Sequence, residues 1–427
     1  MSKDFHKDFK FRKIKKPSKF IAFIIRIYLK LVCKKRNVEF KYGEDVKKLR
    51  KQPVIYLAQH TSKDDYFYVL SGLKRSDVHV ICGYQNVFQK GVYFLLKKLG
   101  VIAKYLYQPD FTAVKQMLEA VKLGDGLVIF PEGIQSTSGS THPINPATVN
   151  FIIKLKLPVV LVSLNGSYFT RTRYSTDIKK GKITVTFSKL FSSEELGSLS
   201  REEINEKLIK NFSYNEYEYN RQHKIAFTGE KSNIYGLDNI IYKCPHCSSE
   251  FDMEVFDDNM KCRTCGFEIS MDKYYQITAV NKELLFADID KWYKWQRREV
   301  RKLVKSDDFI MQSTVEYNVI NTQKLDNDYS LKQVGKGLLT LTNKGLIYKG
   351  SKDGEEVELF FEPQKVFSLT MSLMYDLDLY YDNEYYNFKL LDNPKQCVKW
   401  MICAEEIHNL YDSIWEKASK EVYEYED

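Results

Sequence analysis

No stretch of the 427-residue sequence is apolar over the roughly 20 residues that a membrane-spanning helix needs. The longest apolar run, from Phe20 to Cys33, has 14 residues and is interrupted by Arg26 and Lys30. As a helix it would measure about 21 Å at roughly 1.5 Å per residue, short of the roughly 30 Å hydrocarbon core. The same two cations argue against a secretory signal, and no small-residue cleavage site follows. Internal repeats and low-complexity tracts are also missing, which sets aside solenoids and biased-composition tails. Apolar side chains are not scarce: with 44% hydrophobic and 14% aromatic residues the chain can form two or three cores.

Charge is unevenly spread. Residues 1–53 carry a net +13, residues 54–229 a net +7 and residues 230–427 a net −11. A basic start points towards an anionic surface, either lipid headgroups or nucleic acid. In KFIAFIIRIYLKLVCK, Lys19, Arg26, Lys30 and Lys34 fall on one helical face, and Ser18 can cap the helix just after Pro17. This pattern predicts a helix lying in the membrane interface, which makes the chain peripheral or monotopic on the cytoplasmic face of the cell membrane and in contact with anionic lipids. A helix that packs on its own domain is the plainer alternative.

Five divisions are expected: a basic segment with the interfacial helix (1–51), an α/β domain (52–225), a cysteine-bearing insert (240–275), a helical connector (276–308) and a β-rich region (309–427). In the α/β domain, strands are predicted at Val54–Gln59, Val78–Cys82, Val101–Leu106, Gly126–Phe130 and Pro158–Leu164. Helices are predicted at Asp65–Leu73, Gln89–Leu99, Phe111–Leu123 and Ala147–Leu155, with a polar helix or linker at Ser200–Tyr219 and a charged helix at Asp288–Lys305. In the last region GKGLLTLTNKGLIYKG, EEVELFF, KVFSLTMSL, YDLDLYY and EYYNFKLL read as successive strands, closed by a helix near Gln396–Ser419. Such a meander can form a pleckstrin-homology-like barrel.

The first strand ends at Gln59 and delivers His60-Thr61-Ser62-Lys63-Asp64-Asp65 at the turn into a helix. A histidine and a carboxylate five residues apart across such a turn can hydrogen-bond, so that the carboxylate sets the imidazole tautomer and stabilises the imidazolium. The pair is the base half of a triad without its serine. The spacing alone is weak, because Ser62-x-x-Asp65 also fits a helix cap. A second block, Phe130-Pro131-Glu132-Gly133, stands at another strand end and precedes the polar loop IQSTSGST.

These two blocks, in this order, resemble the glycerolipid acyltransferases typified by 1-acylglycerol-3-phosphate acyltransferases. The resemblance covers roughly residues 50–190 and includes two looser motifs, LGVIAKYLYQPD and LPVVLVSLNGSY. It implies that His60 removes a proton from the acceptor hydroxyl, that Asp65 orients His60, and that the donor is acyl-coenzyme A or acyl carrier protein. The acceptor it implies is a lysophospholipid, 1-acyl-sn-glycerol 3-phosphate above all, with phosphatidic acid as product. Glu132 and Gly133 match the block that holds the acceptor. Lys104 stands where the family places a cation, and Arg171 and Arg173 are further substrate-binding candidates. One departure is visible: Ile134 and Gln135 occupy places where the family commonly has arginine, which leaves another lysolipid acceptor open. No cofactor is needed for catalysis, since thioester alcoholysis asks for a base and oxyanion stabilisation.

Cys244-Pro-His-Cys247 and Cys262-Arg-Thr-Cys265 form paired knuckles separated by 14 residues, a spacing that predicts four thiolates on a structural Zn²⁺. A disulfide pair is the alternative, disfavoured by the lack of a secretion signal. A subset of bacterial acyltransferases resembles this chain in carrying a ribbon and a β-rich tail. Zinc ribbons often bind nucleic acid, which gives a rival reading of a ribbon-centred binding protein with an inactive acyltransferase-like domain. The net −11 of residues 230–427 argues against nucleic acid as a partner.

Overall fold

The computed structural model describes residues 4–327, 330–372 and 376–425. The chain begins with α1 (Phe5–Lys10) and α2 (Lys19–Lys35). Ser18 caps α2 as its pattern predicts, its Oγ accepting from Ile21 N–H at 3.5 Å. One side of α2 packs on the protein, burying Leu29 and Cys33. The other side leaves Phe20, Phe23, Ile24, Ile27, Tyr28 and Leu31 exposed. Among the described residues no helix is long and apolar enough to cross a membrane.

Strands and helices then alternate: β1 (Val38–Tyr42), α3 (Glu44–Lys48), β2 (Ile55–Ala58), α4 (Asp65–Gly72), β3 (Val78–Gly83), α5 (Tyr93–Lys98), β4 (Ile102–Lys104), α6 (Phe111–Lys122), β5 (Gly126–Ile129), α7 (Pro146–Leu155), β6 (Val159–Asn165), α8 (Ser167–Thr170) and β7 (Ile183–Phe191). They build one sheet in the order β1-β7-β6-β2-β5-β3-β4, with every neighbouring pair parallel except β6 and β7. Parallel strands covered on both faces read as continuous apolar runs, and β2 is buried at all of its positions. β1 joins this sheet from ahead of residue 52. β7 has no counterpart in the predicted strands: ITVTFSKLF mixes apolar and polar residues, and its pairing with both β1 and β6 decides its place. Two registers matter for the site. Leu57 of β2 lies opposite Ile129 of β5, and Ala58 lies opposite Val162 of β6.

After α9 (Glu195–Ser198), the predicted helix at Ser200–Tyr219 is two helices, α10 (Arg201–Phe212) and α11 (Glu216–His223). Asn215 caps the second by accepting from Tyr217 and Glu218 N–H. Four short antiparallel strands follow, β8 (Met253–Phe256), β9 (Asn259–Cys262), β10 (Glu268–Met271) and β11 (Ile277–Ala279), and then α12 (Ile289–Val304). The last region holds β12 (Ile310–Ile320), β13 (Leu331–Thr342), β14 (Gly345–Lys352), β15 (Glu355–Phe361), β16 (Thr370–Met371), β17 (Asp376–Tyr381) and β18 (Glu384–Leu390). These strands form an antiparallel sheet in the order β15-β14-β13-β12-β18-β17-β16. Leu373 and Tyr375, at the ends of two predicted strands, lie outside the described residues. The predicted closing helix is split into α13 (Cys397–Tyr411) and α14 (Ser413–Tyr423) because Asp412 turns its carboxylate onto Ile414 and Trp415 N–H and starts a new helix.

The later regions are not separate beads. A single buried cluster runs from Tyr168, Phe169 and Tyr217 through Cys244, Met260 and Trp292 to Tyr317, Leu379 and Trp400. The Arg297 guanidinium on α12, fully buried, bonds Glu405 and Glu406 on α13.

Candidate active site and cysteine cluster

The register of β2 and β5 brings the two sequence blocks together. His60 and Glu132 each lie three residues beyond the paired Leu57 and Ile129, so they meet above adjacent strand ends. His60 N–H donates to Glu132 Oε1 at 2.7 Å, and the His60 ring lies 4.6 Å from that of Phe130, centroid to centroid. The imidazole remains partly open to solvent.

Asp65 is wholly buried beneath it. Its Oδ2 stands 3.1 Å from His60 Nδ1 and accepts from Ser62 N–H at 2.7 Å. The capping-like contact and the histidine contact therefore coexist on one oxygen. With a carboxylate as its neighbour, Nδ1 carries the proton and Nε2 keeps its lone pair, the arrangement a general base requires.

Glu132 does not open onto a cationic pocket. Its other oxygen, Oε2, accepts from His142 N–H at 2.8 Å, so the side chain ties the His60 turn to the loop after Gly133. Burial pushes its carboxyl up to about 8, while the two backbone N–H groups and the nearby Asp65 act on it more weakly. Gly133 has φ +79°, and a Cβ there would lie 2.9 Å from the Tyr107 hydroxyl, so the turn needs glycine. That hydroxyl donates to the Glu132 carbonyl at 2.7 Å.

The three cationic candidates take different places. Lys104 Nζ donates to the Tyr105 and Gln108 carbonyls, and burial lowers its ammonium to about 8. Arg171 lies 2.8 Å from Asp64, whose carboxylate also holds Arg36 at the end of α2. Arg173 donates to Gln135 Oε1 at 2.9 Å and to the Met371 carbonyl. A guanidinium from the loop after α8 thus stands beside Gln135.

Several neighbours are not among the predicted site residues. The C-terminal region closes over the Glu132 side: the Tyr107 ring lies tilted against that of Phe367 with centroids 4.0 Å apart, and His142 Nδ1 meets the Tyr423 hydroxyl at 2.7 Å. From α12, Asp290 accepts from the Ser138 and Ser140 hydroxyls at 2.6 Å each and pins the polar loop. Ser167 lies in the quoted motif LPVVLVSLNGSY, and its position just past a strand end was the available clue; its hydroxyl donates to Asp65 Oδ1 at 2.5 Å.

The four knuckle cysteines converge. The sulfurs of Cys244, Cys247, Cys262 and Cys265 all lie within 4.8 Å of one another, a set that can hold a metal ion. Cys244 and Cys265 are 3.7 Å apart and Cys247 and Cys262 are 3.6 Å apart, too far for disulfides, whose S–S bond is about 2.05 Å.

Residues 37–165 match the family model described as Acyltransferase. Over 160 residues the chain is 26% identical to a 1-acyl-sn-glycerol-3-phosphate acyltransferase of Cocos nucifera, across 35% of this chain and 49% of that protein. The chain therefore spans about half the length of this curated relative. Among solved structures, the 1-acyl-sn-glycerophosphate acyltransferase PlsC of Thermotoga maritima is similar with a TM-score of 0.39 and 18% identity, over 45% of this chain and 79% of that one.

Proposed function

We propose that the chain, whose residues 37–165 match the Acyltransferase family model, moves a fatty acyl group from acyl-coenzyme A or acyl carrier protein to the free hydroxyl of a lysophospholipid. The observation that carries this reading is the His60 Nδ1 contact with buried Asp65 at 3.1 Å, beside Glu132. His60 Nε2 takes the proton of the acceptor hydroxyl as its oxygen attacks the thioester carbonyl carbon. The new C–O bond forms, the tetrahedral oxyanion collapses, and the C–S bond breaks. The departing thiolate recovers the proton from the His60 imidazolium.

The acceptor is taken to be 1-acyl-sn-glycerol 3-phosphate, with phosphatidic acid as product. Arg173 beside Gln135 supports an anionic acceptor, because it returns a guanidinium to the stretch after Gly133 that lacks one in sequence. Glu132 and Gly133 act by shaping the turn, and Arg171 is a second cation near the His60 loop. Lys104, turned towards backbone carbonyls, contributes from beneath the surface.

The four cysteines are assigned a structural Zn²⁺. Four thiolates about 2.3 Å from a tetrahedral centre stand about 3.8 Å apart, close to the 3.6 and 3.7 Å spacings here. The C-terminal region is read as a pleckstrin-homology-like barrel with α13, a reading supported by the pairing of its first strand, β12, with its last, β18. The exposed apolar side of α2, edged by Lys19, Lys30 and Lys34, supports binding at the cytoplasmic membrane surface.

The test is transfer of a labelled acyl group to acceptors with and without the phosphate, from each donor. His60→Ala should abolish turnover while the protein stays folded with its metal, and Asp65→Asn should lower kcat by at least about 100-fold. Turnover retained in His60→Ala would sink the reading.

A further inference from the structure

We propose that Ser167 is a positioning residue for the base: it holds one oxygen of Asp65 so that the other stays on His60. The inference rests on the reading of His60 as general base.

Asp65 and Ser167 are both fully buried. On Asp65, Oδ2 serves Ser62 N–H and His60 Nδ1. On the other side Oδ1 has one close donor, Ser167 Oγ at 2.5 Å, and one distant one, the Thr61 hydroxyl at 3.4 Å. A carboxylate turns about a single bond, so fixing Oδ1 also fixes Oδ2. The donor arrives from the end of β6, not from the turn that carries His60, and thus braces the pair from a second strand.

The approach of Ser167 is itself constrained. Gly166 has φ +84°, and a Cβ there would fall 2.3 Å from the Lys182 carbonyl oxygen, so no other residue fits without shifting backbone. Gly166 N–H donates to buried Glu216 Oε1 at 2.6 Å, and the Ser167 carbonyl accepts from Thr170 Oγ at 2.7 Å. The serine hydroxyl has a fixed origin and a fixed target.

Without the hydroxyl, a buried carboxylate oxygen keeps only the distant Thr61 contact. Leaving such an oxygen unsatisfied is costly, and reorientation of Asp65 relieves it at the expense of His60. Ser167→Ala in the full chain should lower kcat about 10- to 100-fold with KM little changed. The rising limb of the pH–rate profile should move to lower pH, because a carboxylate turned away from the ring stabilises the imidazolium less. Ser167→Thr, which keeps the hydroxyl, should recover most of the rate. Wild-type kcat and pH profile in a folded Ser167→Ala would overturn the proposal, as would a rate loss that only follows the folded fraction. If the alanine variant does not fold, Ser167→Cys keeps the volume with a weaker donor and faces the same criteria.

Nitrogen NMR of the His60 ring separates this inference from the proposed activity. A wild-type ring held as the Nδ1–H tautomer that becomes mixed in Ser167→Ala supports positioning even if no acyl transfer is found. An unchanged tautomer refutes it even if transfer is found.

Discussion

His142 joins the loop after Gly133 to the C-terminal helix. Its Nδ1 meets the Tyr423 hydroxyl at 2.7 Å, and burial, then the cations of Arg297 and Arg173, lower its imidazole to about 3. A folded value below the ordinary 6.5 means that the unfolded chain binds more protons between those limits. The stability tied to this group is complete above about pH 6.5 and is lost as the pH falls towards 3. Between pH 7 and 5 the loss is about 2 kcal/mol. Buried Glu132 and Glu216, both pushed up to about 8, act in the opposite sense: the native state holds their protons, and their contribution declines as the pH rises from about 4.5 to 8. Urea unfolding of wild type and His142→Gln at pH 7 and pH 5 isolates the histidine, since the glutamates are common to both. The wild type should lose about 2 kcal/mol more than the variant; equal losses would show that His142 does not titrate on unfolding. Legibility at this scale was uneven. His60 and Asp65 could be read because both fall within one turn, whereas His142, Tyr107 and Ser167 acquire their partners only across 281, 25 and 102 positions of chain.

α2 presents two apolar sides, one covered by the domain and one exposed. The exposed side carries Phe20, Phe23, Ile24, Ile27, Tyr28 and Leu31, and Lys19, Lys30 and Lys34 are also exposed. Arg26, from the same basic series, is instead drawn inwards to the Arg75 carbonyl. Moving a side chain such as phenylalanine or isoleucine fully out of water gains about 1.5–3 kcal/mol. Phe23→Glu should therefore weaken binding to vesicles containing anionic lipid about 10- to 100-fold, read by flotation. High salt should weaken wild-type binding further, and Phe23→Glu binding like wild type would remove the helix from the interface. The periodicity of α2 was visible in its sequence. β7 and β12 were not, because half-polar strands such as ITVTFSKLF depend on neighbours supplied by distant segments.

Across the molecule, the cysteine sheet, α12 and the β-rich region share one buried cluster that reaches Tyr168 and Phe169 beside the site. Losing the proposed Zn²⁺ should therefore destabilise the chain as a whole. Cys262→Ser should lose the bound ion and more than about 3 kcal/mol of stability, with a single calorimetric transition at lower temperature. An unshifted main transition would mean that the ribbon unfolds alone. What the sequence by itself determined was local: the parallel-strand runs, the His60 and Asp65 turn, the CxxC knuckles and the two-sided helix, all set by spacing within a few residues. What only the tertiary structure decided was which strand ends are neighbours, that Glu132 binds two backbone N–H groups, that Arg173 reaches Gln135, and that the C-terminal region is packed against the α/β domain. Those contacts join residues far apart in the chain, and their partners are selected by strand register and by a shared core that no local pattern encodes.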